Sequence, residues 1–296
     1  MVDFTLSDEQ KDLREMAHNF AEKEMRSVAF EYDKDGTWPA EVIQKAWEVG
    51  LMNTHVDEAY GGPGLDYLSG CLIEEEFGWG CSGIGTSLAC NGLASAPVSL
   101  GGSEETKAKY LGMLCEEPKL ASFCLTEPDA GSDVAGMKTR AVKKGDKYII
   151  NGSKCFITNG AHADWFTVYA KTDPDAGSRG ITAFVVDKQD GITVDKKEDK
   201  MGQRASNTVT LTFDDVEVPA ENMLGEENKG FKLAMMTLDR TRPGVAAMAT
   251  GIARSGFDAA VQYSKERQQF GVPIAMHQAI QFLIADMAVK VDAARL

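Results

Sequence analysis

The chain has 296 residues, enough for two domains or three small ones and for a full core without disulfide or metal staples. Apolar residues make up 43% and charged residues 26%, a soluble globular composition that excludes disordered, collagen-like and coiled-coil chains. With 31 Lys and Arg against 45 Asp and Glu the net charge is −14, so no nucleic-acid partner is expected and any anion site must be built locally.

Residues 1–118 read as an N-terminal α-helical domain. The opening MVDFTLSDEQ lacks an apolar core and arginines, so it resembles neither a signal peptide nor a transit peptide. Ser7 and Gln10 are spaced as a capping box before a helix with Leu13, Met16, Ala17 and Phe20 as apolar positions. Thr37-Trp38-Pro39 predicts the start of a second helix, which Gly50 closes. Gly61, Gly62, Pro63 and Gly64 predict a loop. Apolar and small residues follow from Leu65 to about 101, with Gly, Ala and Ser dense over 78–96. Such density predicts close helix packing, or room for a ligand chain.

Residues 119–225 read as a middle β-domain. β-Branched and aromatic runs at 121–126, 139–143, 148–157, 165–171, 181–187, 192–196 and 208–218 predict strands. No helix pattern separates them, which argues for an antiparallel barrel or sandwich. Gly145-Asp146 suits a tight hairpin. Residues 226–296 read as a C-terminal helical bundle. One helix carries Phe231, Leu233, Ala234, Met236 and Leu238, and another runs from Gly244 to about Arg267. After a break at Gly271-Val272-Pro273, a last helix reaches Leu296 without a cap, so the bundle is expected to be incomplete and the chain a fragment. The fold class is α+β and multi-domain.

Several chemistries are missing. Gly83-Ile84-Gly85 lacks the third glycine of a dinucleotide fingerprint, and Met137 stands where a Walker loop needs Lys. No G-x-S-x-G elbow occurs. The six cysteines form no C-x-x-C pair, which predicts free thiols in a reducing compartment. Histidines 18, 55, 162 and 277 are scattered, so no metal site is expected. No apolar run is long enough for a membrane span.

Two segments carry chemistry. In Phe123-Cys124-Leu125-Thr126-Glu127-Pro128-Asp129-Ala130-Gly131-Ser132-Asp133 a strand runs out into a turn. Successive N–H groups there form an anion nest suited to a pyrophosphate, and Gly131 permits close approach. In Lys154-Cys155-Phe156-Ile157-Thr158-Asn159-Gly160, period two places Phe156 and Thr158 on one strand face, where a ring can stack and a hydroxyl can bond a heterocycle.

These motifs occur in one order with Met201-Gly202-Gln203-Arg204, Leu238-Asp239-Arg240-Thr241-Arg242-Pro243, Glu266-Arg267-Gln268-Gln269-Phe270-Gly271 and His277-Gln278. Together they strongly resemble the acyl-CoA dehydrogenases, most like the medium- and short-chain members, across essentially the whole chain. The resemblance implies FAD between the β-domain and the last domain, and α,β-dehydrogenation of acyl-CoA thioesters to trans-2-enoyl-CoA in fatty-acid β-oxidation. It implies that Phe123, Leu125, Thr126, Gly131, Ser132, Phe156, Ile157 and Thr158 serve FAD. Arg267, Phe270 and Gln278 would reach the FAD of a neighbouring subunit in a homotetramer or dimer. Ser132, Ser178, Asp239 and Arg242 would lie beside the acyl-CoA. Electrons would pass to an electron-transferring flavoprotein, in the bacterial cytoplasm or, for a mature chain, the mitochondrial matrix. The family's general-base Glu is expected beyond Leu296, and the alternative position beside Arg242 holds Thr241, so efficient turnover by this chain is not expected. An acyl-CoA oxidase or nitroalkane-oxidase-like flavoenzyme, and a non-catalytic acyl-CoA or flavin-binding fragment, are the other readings.

Overall fold

The computed structural model describes residues 4–296. Its first helix, α1 (Asp8–Phe20), opens on the expected capping box. Ser7 Oγ accepts from Gln10 N–H at 3.2 Å, and Gln10 Oε1 accepts from Ser7 N–H at 3.1 Å. A π turn (Ala21–Arg26), α2 (Ala29–Asp35) and α3 (Ala40–Glu48, led by Pro39) follow. Ala17, Phe20, Met25, Val42 and Ile43 pack on Ile73, Phe77 and Ile84 of α4 (Tyr67–Gly101). Extended backbone at Cys81 divides α4 into two helical runs. Its glycines sit at close approaches: a Cβ on Gly78 would lie 2.1 Å from Met248 O, and one on Gly80 3.0 Å from Ala21 Cβ. Close packing is therefore what the small residues there serve. After α5 (Glu104–Glu116) the chain enters the β-domain.

The strands are β1 (Ala121–Cys124), β2 (Arg140–Lys144), β3 (Lys147–Thr158), β4 (Trp165–Lys171), β5 (Ile181–Asp187), β6 (Ile192–Lys197), β7 (Thr208–Pro219) and the short β8 (Met223–Leu224). They form one eight-stranded sheet in the order β6-β7-β3-β2-β4-β5-β8, with β1 beside β4. The sheet path is open, so the architecture is sandwich-like and not a closed barrel. It is also mixed rather than purely antiparallel: β1 lies parallel to β4, and β2 touches β4 in parallel at Arg140 and Lys171. Intervening strands separate β1 from β4 in the chain, and such a crossover permits parallel pairing. The hairpin at Gly145-Asp146 closes β2 on β3 with Lys144 opposite Lys147.

Alternation along β4 splits the interior in two. Phe166 and Val168 join Ile150, Phe184, Leu211 and Phe213 in a core inside the β-domain. Trp165 and Tyr169 face the other way, against Ala94 and Val98 of α4, Tyr110 and Leu114 of α5, and Leu233 and Ala234 of α6 (Gly230–Glu266).

The break expected before Gly244 is absent, and α6 continues through Pro243. An internal proline costs roughly 3 kcal/mol. The long seam of α6 against α4 offsets it: Gly251 comes so close that a Cβ there would lie 1.9 Å from Glu75 O. A charged network crosses the same seam. Arg254 donates to Glu75 at 2.9 Å and to Glu76 at 2.8 Å, His18 of α1 contacts Glu76 at 2.8 Å, and Arg295 donates to Glu75 at 2.9 Å. Arg295 ends α7 (Gln278–Arg295). Between α6 and α7, β9 (Gln268–Gln269) and β10 (Val272–Pro273) form a hairpin. Its two-residue loop is Phe270 and Gly271, with φ of 55° and 78°. No helix among the described residues is long and apolar enough to cross a membrane.

Candidate active site

The two chemistry-bearing segments meet. β1 runs out beside the far end of β3, where Ser122 Oγ donates to Thr158 O at 2.7 Å and Cys155 N–H donates to Thr126 O at 2.9 Å. Phe123 is half-buried with its ring edge-on to Tyr169, 5.3 Å between centroids. Beyond Thr126 the chain makes a tight turn, with Glu127 and Ala130 exchanging backbone hydrogen bonds of 3.0 and 3.1 Å. Gly131, Ser132 and Asp133 follow it, all exposed.

Gly131 is informative because nothing in the chain requires a glycine there. Its φ is not positive, and a Cβ would meet no atom within 4 Å. An open face beside bare backbone suits close approach by an outside group.

Phe156 is the second unusual residue. The register of β3 on β7 shifts between Lys154 and Ile157, a bulge that leaves Phe156 with φ of 59° and 64% exposed. A non-glycine residue in that region stores on the order of 1 kcal/mol or more. The fold keeps a strained aromatic facing outward, next to Thr158, which is half-buried. Ile157 and Leu125 turn the other way: at 1% and 7% exposure their side chains belong to the two cores.

The loop is held from behind by a pair that the motif reading passed over. Lys154 is 0% exposed and donates to Leu125 O at 3.1 Å and to Glu127 Oε1 at 2.8 Å. Glu127 also accepts from Lys138 N–H at 2.5 Å and Thr139 N–H at 3.1 Å. Burial alone would raise the Glu127 carboxyl, but the Lys154 charge and these N–H groups hold it below the usual range. Burial pulls Lys154 down against the opposing pull of Glu127. A lysine directly before the apolar run Cys155-Phe156-Ile157 was the available signal.

The start of α6 closes one side of the region. Leu233 and Ala234 pack in the cluster that holds Leu125 and Tyr169, and Thr237 lies beside the Tyr169 hydroxyl. One turn on, Asp239 and Arg242 are exposed and paired with each other. Between them Thr241 donates its hydroxyl to Thr237 O at 3.2 Å, within its own helix. Ser178 is half-buried in the segment Pro174–Gly180, which packs against Val134–Gly136 of the turn. Arg267, Phe270 and Gln278 form a separate exposed group around the β9–β10 hairpin, where Phe270 is 94% exposed. Their hydrogen bonds and ring contacts stay within the end of α6, the hairpin and the start of α7. Glu74 of α4 also went unnoticed in the sequence. Its carboxylate fills the space beside Gly244, has no hydrogen-bond or ion-pair partner among the described residues, and is pushed up to about 7 by burial.

Comparisons with known proteins agree along the whole chain. Residues 7–118, 122–216 and 228–296 match the family models for the N-terminal, middle and C-terminal domains of acyl-CoA dehydrogenase. A Caenorhabditis briggsae relative named "Probable medium-chain specific acyl-CoA dehydrogenase 2, mitochondrial" is 48% identical over 299 residues, covering 100% of this chain and 73% of the relative. The solved butyryl-CoA dehydrogenase from Megasphaera elsdenii superposes with a TM-score of 0.96 at 46% identity, covering 99% of this chain and 78% of that one. A chain from the structure reported as "Electron transferring flavoprotein of Acidaminococcus fermentans: Towards a mechanism of flavin-based electron bifurcation" gives 0.96 at 48% identity, with coverage of 99% and 78%.

Proposed function

The chain belongs to the acyl-CoA dehydrogenase family, and from that premise we propose that it binds FAD at the meeting of β1, β3 and α6 and acts on acyl-CoA thioesters. The observation that carries the assignment is the joining of the segment that leads into the exposed Gly131-Ser132 turn to the strand end that holds the outward-facing Phe156, through the Cys155 N–H to Thr126 O bond and the Lys154–Glu127 pair. The backbone N–H groups at Gly131 and Ser132 would meet the pyrophosphate, and Phe123, Phe156 and Thr158 the ring. When bound, the flavin supplies the redox chemistry of α,β-dehydrogenation; the protein supplies orientation and electrostatics. Asp239, Arg242, Ser132 and Ser178 would hold the acyl-CoA, with the paired Asp239 and Arg242 suited to binding polar groups. Electron-transferring flavoprotein is the proposed acceptor, and bacterial cytoplasm or mitochondrial matrix the proposed compartment.

A general base must come within hydrogen-bond reach of the α-proton. Thr241 has no carboxyl, and Asp239 is already paired with Arg242. Loss of a general base costs on the order of 10²–10⁴ in rate. The expected result is a chain that takes up flavin, and a carboxylate other than Asp239 is needed before that flavin bleaches on anaerobic addition of butyryl- or octanoyl-CoA. A colourless chain with no affinity for added FAD would overturn the assignment. Fast bleaching would show that a base is present after all. Rapid reaction of the reduced protein with oxygen would favour an oxidase.

Assembly is proposed to be homo-oligomeric. Phe270, Phe282, Leu283 and Val289 are 94, 65, 62 and 66% exposed along the hairpin and α7. Arg267, Phe270 and Gln278 would reach a neighbour's FAD from that surface. Arg267→Ala is expected to lower the flavin-to-protein ratio of purified material, because an Arg–phosphate contact is a strong charge-assisted bond. An unchanged ratio would reassign Arg267 to the helix end alone.

A further inference from the structure

We propose that the buried Glu127–Lys154 pair is the positioning device of the cofactor site, setting the spacing between the Gly131-Ser132 turn and the Phe156 bulge before any cofactor arrives. This role rests on the cofactor site proposed above, and it concerns residues that would not themselves touch the flavin.

The geometry singles the pair out. Lys154 is the last regular residue of β3 before the register shift that turns Phe156 outward. Its ammonium reaches across to Leu125 O and Glu127 Oε1, so one side chain joins the bulge to the segment leading into the turn. Glu127 then reaches forward to the N–H groups of Lys138 and Thr139. These bonds close residues 128–137 into a loop whose two ends are tied to one carboxylate. The loop carries Gly131 and Ser132, and the strand carries Phe156 and Thr158. Both halves of the proposed site are thus referenced to a single buried ion pair.

Stability alone does not explain such a pair. A buried pair is often no more stabilising than apolar groups of similar volume, whereas removing one partner leaves an uncompensated charge. What the charged pair supplies is geometry: a carboxylate accepts from three donors at once, and an ammonium donates to two acceptors at fixed reach. A cofactor that meets an ordered loop does not have to offset the entropy of ordering it.

The test uses the full chain, stripped of flavin and reloaded with FAD. Glu127→Gln and Lys154→Met are made singly and together, with Lys154→Arg as the conservative variant. Folding midpoint, FAD affinity and the visible circular dichroism of bound flavin are measured for each. In the double variant the midpoint is expected to recover most of what either single change loses, while FAD binding stays weaker by roughly tenfold or more, about 1.4 kcal/mol. The flavin circular dichroism should change shape, and Lys154→Arg should restore part of the affinity. A double variant that binds FAD as tightly as the parent, with the parent's spectrum, would overturn the role.

Hydrogen exchange on the flavin-free parent gives a second arm that does not depend on flavin binding. The Lys138 and Thr139 amides should be protected without FAD, and at least one of them, the one left facing the carboxamide NH2, should lose that protection in Glu127→Gln. Unprotected amides in the parent would refute a preset loop. A parent chain that never binds FAD, yet shows this protection, would count against the proposed function and not against the clamp.

Discussion

Phe156 and Glu74 each set a local cost against a possible use, and both can be measured. Phe156 keeps φ at 59° while 64% exposed, so it gives up backbone comfort and gains little packing. Glycine at that position would relieve on the order of 1 kcal/mol of strain. Phe156→Gly should therefore leave the thermal midpoint unchanged or raise it, and weaken FAD binding about fivefold, the value of one aromatic contact. A lower midpoint with unchanged flavin affinity would make the ring a structural part of the sheet edge. Glu74 bears on pH. Its carboxyl titrates near 7 in the folded chain against 4.5 when unfolded, so the folded state holds the extra proton between those values. Stability from this group is present in full below pH 4.5 and is lost as pH rises through 7. Allowing for its partial exposure, the loss is roughly 1–2 kcal/mol. Glu74→Gln should raise the melting midpoint at pH 8 and leave it nearly unchanged at pH 4.5, as scanning calorimetry at the two pH values would show.

Helix α6 shows how a continuous element can hide behind a local signal. Pro243 marks a boundary to any reading of neighbours along the chain, yet the helix passes through it because its burial is decided by α4. The small residues of the seam separate two kinds of glycine. A Cβ at Gly251 would meet Glu75 O at 1.9 Å, whereas one at Gly256 would meet nothing within 4 Å. Gly251→Ala should cost about 1–3 kcal/mol by overpacking, and Gly256→Ala should gain roughly 0.5–1 kcal/mol in helix propensity. Chemical denaturation of both variants checks the opposite signs. The same contrast explains what was legible in the sequence. β4 and β5 could be placed residue for residue, since alternation and turn chemistry are local. The capping box at Ser7 was legible for the same reason. The parallel docking of β1 on β4 and the two-residue β8 depend on partners far along the chain and leave no local mark. In the candidate site, the turn and the aromatic strand end were readable as motifs. The Glu127–Lys154 pair was not, because which buried polar groups meet is settled only by the folded register.

At the scale of the whole molecule, four helices from the two ends of the chain, α1, α4, α6 and α7, meet in a charged junction at Glu75 and Glu76. Glu76 is 2% exposed and Arg254 18%, so removing the guanidinium strands carboxylates in a poor solvent for charge. Arg254→Met is expected to cost about 3 kcal/mol or more. Equilibrium unfolding should show that loss, and limited proteolysis should show α1 released earlier than in the parent. The junction also has a consequence for synthesis. Glu75 leaves the ribosome 220 residues before Arg295. At bacterial or eukaryotic elongation rates of about 5–20 residues per second, that is roughly 10–40 s. During this interval Glu75 has no Arg295 to pair with, and until α6 emerges the glycine-lined face of α4 is bare. The nascent chain therefore spends that interval with α4 half-covered, and exposed apolar surface of this kind is what molecular chaperones hold, so their longest opportunity falls on α4 and not on the later helices that cover it.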